Sequence, residues 1–223
     1  NWLFAKNNNG LFKLRIEDTD IKRSTNEAKE AILNGLKWLD LNWDEEEVYQ
    51  SKRIERHKQV GNELLKLGHA YKCYCSPEEL SEMRDKAREE KRAPKYNGKW
   101  REKNESEAPK DIKPVIRIKC AQSGMTSIND VVQGEVSIKN NELDDFIIIR
   151  SDGSPTYNLS AVVDDHTLAI SHVIRGEDHL SNTPKQILLY DALKLNTPIF
   201  AHLPMILGSD KKRLSKRHGA LGV

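Results

Sequence analysis

Apolar positions fall in short blocks whose period changes along the chain. Trp2, Leu3, Phe4 and Ala5 crowd the start and run into Asn7-Asn8-Asn9-Gly10. That order predicts the last turns of a helix, closed by residues that tolerate left-handed backbone. Phe12, Leu14 and Ile16 then alternate with Lys13, Arg15 and Glu17, the period of two of a half-buried strand. Ser24 or Thr25 caps a helix with Ala28, Ala31, Ile32, Leu36 and Leu39 on one face. Another helix over 52–67 turns Ile54, Val60, Leu64 and Leu67 inward.

The middle of the chain follows a different rhythm. Ala70–Cys75 predicts a short strand, and Ser76-Pro77-Glu78-Glu79 joins an N-cap, a proline at the first helical position and a capping-box glutamate. Between Arg84 and Lys103, nine Lys or Arg stand against four Asp or Glu, broken by Pro94 and Tyr96-Asn97-Gly98, so the helix yields to a basic, turn-rich stretch. After a polar loop over 104–113, Ile116, Ile118 and Cys120 alternate with Arg117 and Lys119. Val131–Ile138 reads as a hairpin folded about Gln133-Gly134, and Phe146–Ile149 as an apolar strand ended by Asp152-Gly153. Helix–strand alternation then resumes, with a helix over 159–170, a strand at His172–Arg175 and a helix over 183–193. An architecture left and later resumed predicts an α/β fold whose parallel sheet is interrupted by an inserted, β-richer module.

Composition narrows the class. The 223 residues carry 36 Lys+Arg against 34 Asp+Glu, a net +2 that excludes a histone-like polycation and makes local patches the meaningful quantity. Three cysteines make no disulfide framework. No apolar run reaches the roughly 18 residues that span a bilayer, and the first residues lack signal-peptide order, so a cytoplasmic, non-membrane protein is expected. The chain opens at Asn1 inside a predicted helix, which places the expected start of the protein upstream.

Three polar groups follow apolar strands: Glu17-Asp18-Thr19-Asp20, Tyr157 beside Ser154-Pro155-Thr156, and Arg175-Gly176-Glu177-Asp178-His179. Ligands of open parallel sheets bind outside the carboxyl ends of strands, so the three could share one crevice. Read singly, they serve equally as caps, a surface ion pair and a core tyrosine. A fourth group, residues 211–217, holds five positive charges and no negative one. It suits a loop closing over polyphosphate, a solvated basic loop, or a nucleic-acid backbone contact.

The ordered set resembles the bacterial-type glutamyl-tRNA synthetases of class I. The resemblance rests on Leu14–Asp20, Ser151–Leu159, Val163–His166, Val173–Leu180, His202-Leu203-Pro204 and Arg213-Leu214-Ser215-Lys216-Arg217, the last being the family's form of the KMSKS loop. It implies a Rossmann-like catalytic domain, with residues 1–70 and 151–200 as its two parts. An inserted tRNA acceptor-end module would occupy 71–150, and 201–223 would begin a stem-contact region. The family's His-Ile-Gly-His-type motif and its anticodon-binding domain are expected outside this sequence. Some members hold zinc with a Cys-x-Cys pair and two later ligands. Cys73 and Cys75 fit the pair, but Trp100 and Glu102 stand where the remaining ligands belong and Cys120 is too far along, so no structural zinc is expected.

The resemblance further implies that glutamate and ATP form glutamyl-adenylate, and that the glutamyl group passes to the 3' end of tRNA(Glu), with a monomer as the expected working form. A carboxylate attacking the α-phosphate needs alignment and charge neutralisation rather than a strong base. Lys216, with Arg213 and Ser215, would act on the leaving pyrophosphate, a contribution of roughly 3–4 kcal/mol for one oriented donor, with Mg²⁺ on the phosphates. Glu17 would receive the α-amino group, while Arg175 and Tyr157 hold carboxylate oxygens; arginine's planar fork favours a carboxylate over an amide. Asp178 and Ile206 would lie near the adenosine. Thr19, Asp20, Arg84, Lys95 and Arg101 would face tRNA. The alternatives are the shorter glutamyl-queuosine tRNA(Asp) synthetase and a tRNA-binding fragment without activity.

Overall fold

In a computed structural model of the chain, residues 1–19 and 24–208 are described. They form two compact units, residues 1–55 with 205–208, and Arg56–Pro204. In the first, α1 (Trp2–Asn7) precedes β1 (Arg15–Ile16), α2 (Asn26–Trp38) and β2 (Val48–Tyr49). The strands pair in parallel, Arg15 opposite Val48 and Ile16 opposite Tyr49. The strand is shorter than its alternating pattern because Phe12 is tied sideways: its N–H donates to Asp44 Oδ2 at 2.8 Å and its carbonyl accepts from Asp44 N at 2.7 Å. Thr25 caps α2, accepting from Ala28 N at 3.2 Å.

The helix α3 (Ile54–Lys66) leads to β3 (Ala70–Cys73), α4 (Pro77–Glu89) and β4 (Val115–Ile118). The capping box of α4 forms as its sequence predicts, Glu79 N to Ser76 Oγ at 3.2 Å and Ser76 N to Glu79 Oε2 at 3.1 Å. Next come β5 (Met125–Asp130), β6 (Gly134–Lys139), β7 (Ile147–Ile149), α5 (Tyr157–Thr167), β8 (His172–Gly176), α6 (Thr183–Ala192) and β9 (Ile199–Leu203). The antiparallel sheet runs β3-β4-β7, β5 and β6 form a hairpin, and β8 and β9 are parallel with Arg175 opposite His202.

One strand lies earlier than the apolar pattern predicts. Val131 and Val132, expected to open the hairpin, are its exposed turn, and the first strand lies earlier at Met125–Asp130. The turn closes at Gly134, whose φ of +76° lies in the left-handed region where a side chain costs energy. Thr126, Ile128 and Asp130 face inward along β5, a regular alternation that begins on the exposed Met125.

A single apolar cluster joins α3 (Val60, Leu64), the antiparallel sheet (Ile118, Ile148), β5 (Ile128), α5 (Leu159, Val162) and α6 (Leu189) to Phe200 of β9. Packing there is tight at Gly61. A Cβ on that residue would sit 2.8 Å from Ile149 Cγ1 and 3.2 Å from its Cδ1, and Ile149 is itself buried. Helix propensity favours alanine over glycine by about 1 kcal/mol, whereas overpacking costs about 1–3 kcal/mol. Gly61→Ala is therefore expected to lower the thermal midpoint by several degrees; a raised midpoint would mean that Ile149 moves aside without strain.

Candidate functional site

In the first unit, the loop after β1 is organised by Asp18 rather than by its neighbours. The Asp18 carboxylate is buried and accepts from Lys29 Nζ at 2.7 Å, Ser51 N at 2.8 Å and Ser51 Oγ at 2.7 Å. Burial opposes its charge, but these donors prevail and hold the carboxyl below its ordinary range. Glu17 projects outward, paired with Arg15 at 3.2 Å, and Thr19 is exposed. Asp20 and the 211–217 loop, with Arg213, Ser215 and Lys216, lie outside the described residues. Ile206, of the same unit, is 77% exposed.

In the second unit, Arg175 near the carboxyl end of β8 is the centre of a polar cluster. Its Nε donates to His202 Nε2 at 3.1 Å, Nη1 to the Tyr157 hydroxyl at 3.3 Å, and Nη2 to Thr183 Oγ1 at 2.9 Å and Gln186 Oε1 at 2.8 Å. Phe200 lies under the guanidinium, 5.6 Å from ring centroid to Cζ. These side chains come from four places: β8, β9, the first turn of α5 and the first turn of α6. A guanidinium has five N–H donors. Four are used here, and one Nη1–H beside Tyr157 has no partner among the described residues.

The character of the partners matters as much as their number. Arg175 is held by an imidazole, a phenol, a hydroxyl and an amide, and by no carboxylate among the described residues. A cation oriented by uncharged groups keeps its field for an anionic ligand, whereas a direct carboxylate would compete with that ligand. The guanidinium expected to hold carboxylate oxygens with Tyr157 is mostly engaged by protein. The geometry instead suits one anionic oxygen between Nη1–H and the Tyr157 hydroxyl. That hydroxyl also lies 3.3 Å from His179 Nδ1, and Asp178 is exposed.

Beneath the arginine, His202 is wholly buried, its Nδ1 2.6 Å from Asp130 Oδ2. Burial raises the Asp130 carboxyl, but N–H groups of Gln133, His202 and Val132 together with the imidazole outweigh it and hold it down at about 2. Neither Asp130, Thr183 nor Gln186 was singled out in the sequence; an aspartate just before Val131-Val132-Gln133-Gly134 was the available sign of a side chain folding back on a turn.

A third feature is a basic cavity of about 660 Å³ lined by Lys86, Arg92, Lys95, Lys99, Arg101 and Lys103 among others. Arg101 is directed into its wall, with Nη1 at 2.7 Å and 2.8 Å from the Asp145 carboxylate and Nη2 at 2.9 Å from the Cys120 carbonyl. Lys95 Nζ donates to the Asn141 carbonyl at 2.6 Å, and Arg84, exposed on α4, donates to the Leu80 carbonyl at 3.1 Å. Cys73 and Cys75 both lie near the Tyr96 hydroxyl, at 3.4 and 3.9 Å, and burial raises the Cys75 thiol to about 12. Among the described residues, no three His, Cys, Asp or Glu side chains gather as metal ligands, and no helix is long and apolar enough to cross a membrane.

Residues 1–223 match a family model described as class I tRNA synthetases (E and Q), catalytic domain. A glutamate–tRNA ligase 2 from Chelativorans sp. (strain BNC1) is 56% identical over 223 residues, covering all of this chain and 47% of the relative. A glutamate–tRNA ligase 2 from Rhodospirillum rubrum is 55% identical over 222 residues, again 47% of the relative. The crystal structure of a glutamate tRNA ligase from Elizabethkingia meningosepticum, in complex with its amino acid, superposes with a TM-score of 0.87 at 35% identity, covering 98% of this chain and 47% of that one. The chain thus spans about half the length of the curated relatives it matches.

The Asp130 carboxyl carries a stability signature. Its folded value lies below its unfolded value, so the unfolded chain binds the extra proton and the pair's contribution is full above about pH 4 and lost as pH falls toward 2. Asp130→Asn should therefore weaken the dependence of the urea midpoint on pH between about 5 and 3; an unchanged slope would detach Asp130 from acid stability.

Proposed function

Because the chain belongs to the catalytic-domain family of the class I tRNA synthetases for glutamate and glutamine, we propose that it is the catalytic part of a glutamate–tRNA ligase. In this reading it joins L-glutamate to ATP as glutamyl-adenylate and passes the glutamyl group to the 3' end of tRNA(Glu). The observation that carries the choice of amino acid is Arg175, oriented by four side chains without a carboxylate among the described residues and left with one N–H beside Tyr157. A ligand carboxylate oxygen satisfies both that N–H and the uncompensated charge. A neutral amide satisfies only the hydrogen bond, which favours glutamate over glutamine.

Each residue has a stated part. Glu17 receives the α-amino group, and Arg175 with Tyr157 holds carboxylate oxygen. Asp178 and Ile206 border the adenosine. Lys216, supported by Arg213 and Ser215, neutralises charge on the departing pyrophosphate. Glutamate's own carboxylate is the nucleophile, so the protein supplies alignment rather than a base. Mg²⁺ bound with the phosphates of ATP would supply charge neutralisation there; the described residues offer it no three-ligand cluster of their own.

Residues 71–150 are proposed as the acceptor-end module between catalytic segments 1–70 and 151–200, with 201–223 opening the stem-contact region. Thr19, Asp20 and Arg84 are assigned to tRNA. So are Lys95 and Arg101 of the basic cavity, where lysines offer phosphate contacts whose strength falls with salt. The curated relatives, about twice as long as this chain, are named glutamate–tRNA ligases, which favours this reading over the shorter glutamyl-queuosine enzyme.

In the full-length protein, Lys216→Ala should lower glutamate-dependent ATP–pyrophosphate exchange at least about tenfold while sparing glutamate binding. Unchanged exchange would remove Lys216 from the chemistry. Arg175→Ala should raise the glutamate KM or abolish exchange, and wild-type kinetics there would refute the amino-acid site. Glutamate substitution of Lys86 and Lys95 together should weaken tRNA binding and flatten its salt dependence by about two contacts; an unaltered slope would free the cavity of phosphate.

A further inference from the structure

Among the described residues proposed for the amino-acid site, Arg175 supplies the positive charge, and what aims Arg175 is not adjacent to it in sequence. His202 stands opposite Arg175 in the parallel pairing of β8 and β9. Asp130 arrives from the end of the β5–β6 hairpin, 72 residues from His202. The hairpin is fastened to β9 by three further bonds: Val131 N to the Phe200 carbonyl at 2.9 Å, Gln133 Nε2 to the His202 carbonyl at 2.9 Å, and His202 N to Asp130 Oδ1 at 3.1 Å.

The hydrogen-bond roles in this chain follow by elimination. Arg175 Nε carries a single hydrogen and can only donate, so His202 Nε2, 3.1 Å away, must present its lone pair. The other ring nitrogen, 2.6 Å from a carboxylate oxygen, therefore carries the proton. The ring is neutral, protonated on Nδ1, and wholly buried. Thr183 Oγ1 accepts from Arg175 Nη2 and lies 3.1 Å from the same Nε2, so the imidazole and the hydroxyl brace one edge of the guanidinium together.

We propose that Asp130 and His202 are positioning residues for amino-acid recognition: Asp130 fixes the tautomer of His202, and His202 thereby sets the direction in which Arg175 presents its remaining Nη1–H. The inference deepens the glutamate reading and depends on it for its kinetic consequences, but the tautomer itself does not. The imidazole also acts as an uncharged spacer. It lets a carboxylate orient the arginine through one intervening ring without touching it, so the guanidinium keeps its charge for the ligand.

Replacing Asp130 by asparagine has a defined effect. Asp130 Oδ1 already accepts N–H groups from Val132 at 3.0 Å, Gln133 at 2.9 Å and His202 at 3.1 Å. An asparagine would keep its carbonyl oxygen against those three donors and turn its NH₂ toward His202 Nδ1. The ring must then protonate on Nε2, and two N–H groups would face each other across 3.1 Å at Arg175 Nε. Leucine at position 202 removes the relay, because a side chain with neither donor nor acceptor cannot pass the choice made at 130 on to Arg175.

The test uses the full-length protein with tRNA present. For Asp130→Asn we expect the glutamate KM to rise about tenfold, the scale of one lost charge-assisted hydrogen bond, with kcat and the ATP KM changed less than about twofold. In a His202→Leu background, adding Asp130→Asn should change the glutamate KM little, the two sites being coupled through the ring. Nitrogen-15 NMR of His202 should report a proton on Nδ1 in the wild type and on Nε2 in Asp130→Asn. The proposal is overturned if Arg175→Ala raises the glutamate KM while Asp130→Asn leaves it unchanged. It is equally overturned if Asp130→Asn costs the same with leucine at 202, or if the wild-type ring carries its proton on Nε2. Should Arg175→Ala itself leave the glutamate KM unchanged, the amino-acid reading fails and the NMR result decides the tautomer alone.

Discussion

Half-burying a guanidinium without a carboxylate beside it costs desolvation energy that only well-placed neutral acceptors can offset, and the polar architecture around Arg175 is arranged to supply them. Thr183 and Gln186 are presented by the first turn of α6, Tyr157 by the first turn of α5, and His202 by the neighbouring strand. Each element is anchored in the same apolar cluster, through Leu159 and Val162 of α5, Leu189 and Tyr190 of α6 and Phe200 of β9. Packing therefore does more than stabilise this unit: it removes the freedom of four acceptors to drift from one cation. The register of β8 against β9 is part of the same constraint, since a slip of one residue would turn His202 to the opposite face of the pair.

Much of this is legible in local chemistry. The Thr25 cap, the Ser76–Glu79 capping box and the strands around Ile116, Ile148 and Ile174 are short-range features, and the backbone follows them. Arg175 and Tyr157 stood out because polar residues after apolar strands collect at ligand crevices, and the structure brings those two together. What stayed hidden was long-range. Asp130 sits within a strand whose inward Thr126 and Ile128 form a weak apolar pattern, and its value lies in a histidine 72 residues later. Likewise Asp18, rather than Glu17, organises the loop after β1, because a lysine eleven positions on and a serine 33 positions on converge on it. Pattern reading detects faces of elements; it does not reveal which side chains of separate elements will share a proton.

The hairpin that supplies Asp130 also bears on how the chain is organised. By rhythm it belongs to the β-richer middle segment, yet Ile128 lies in the apolar cluster with α5, α6 and β9, and Val131 N bonds the Phe200 carbonyl of β9. The second cluster of that segment, Tyr71, Cys73, Tyr74, Tyr96 and Trp100, is separate and lies by the basic cavity. The middle segment thus has two apolar allegiances: one half packs around its own aromatics, and the other builds the support of Arg175. A change of rhythm in sequence marks a change of local structure without marking a boundary in the core.

A second buried imidazole shows why the histidine at 202 is more than filling. His57 of α3 meets Asp164 of α5 through Nε2 across 2.9 Å, both side chains wholly buried, and its Nδ1 has no hydrogen-bond partner among the described residues. An Nδ1–H there would be a buried donor left without an acceptor, so the favoured tautomer has its proton on Nε2, facing Asp164. That ring joins two helices and ends the network. In His202 the proton is on the other nitrogen, and both of its nitrogens are engaged. The carboxylate chooses the tautomer in each case, and only where the far nitrogen meets a cation does that choice have a consequence beyond holding two elements together.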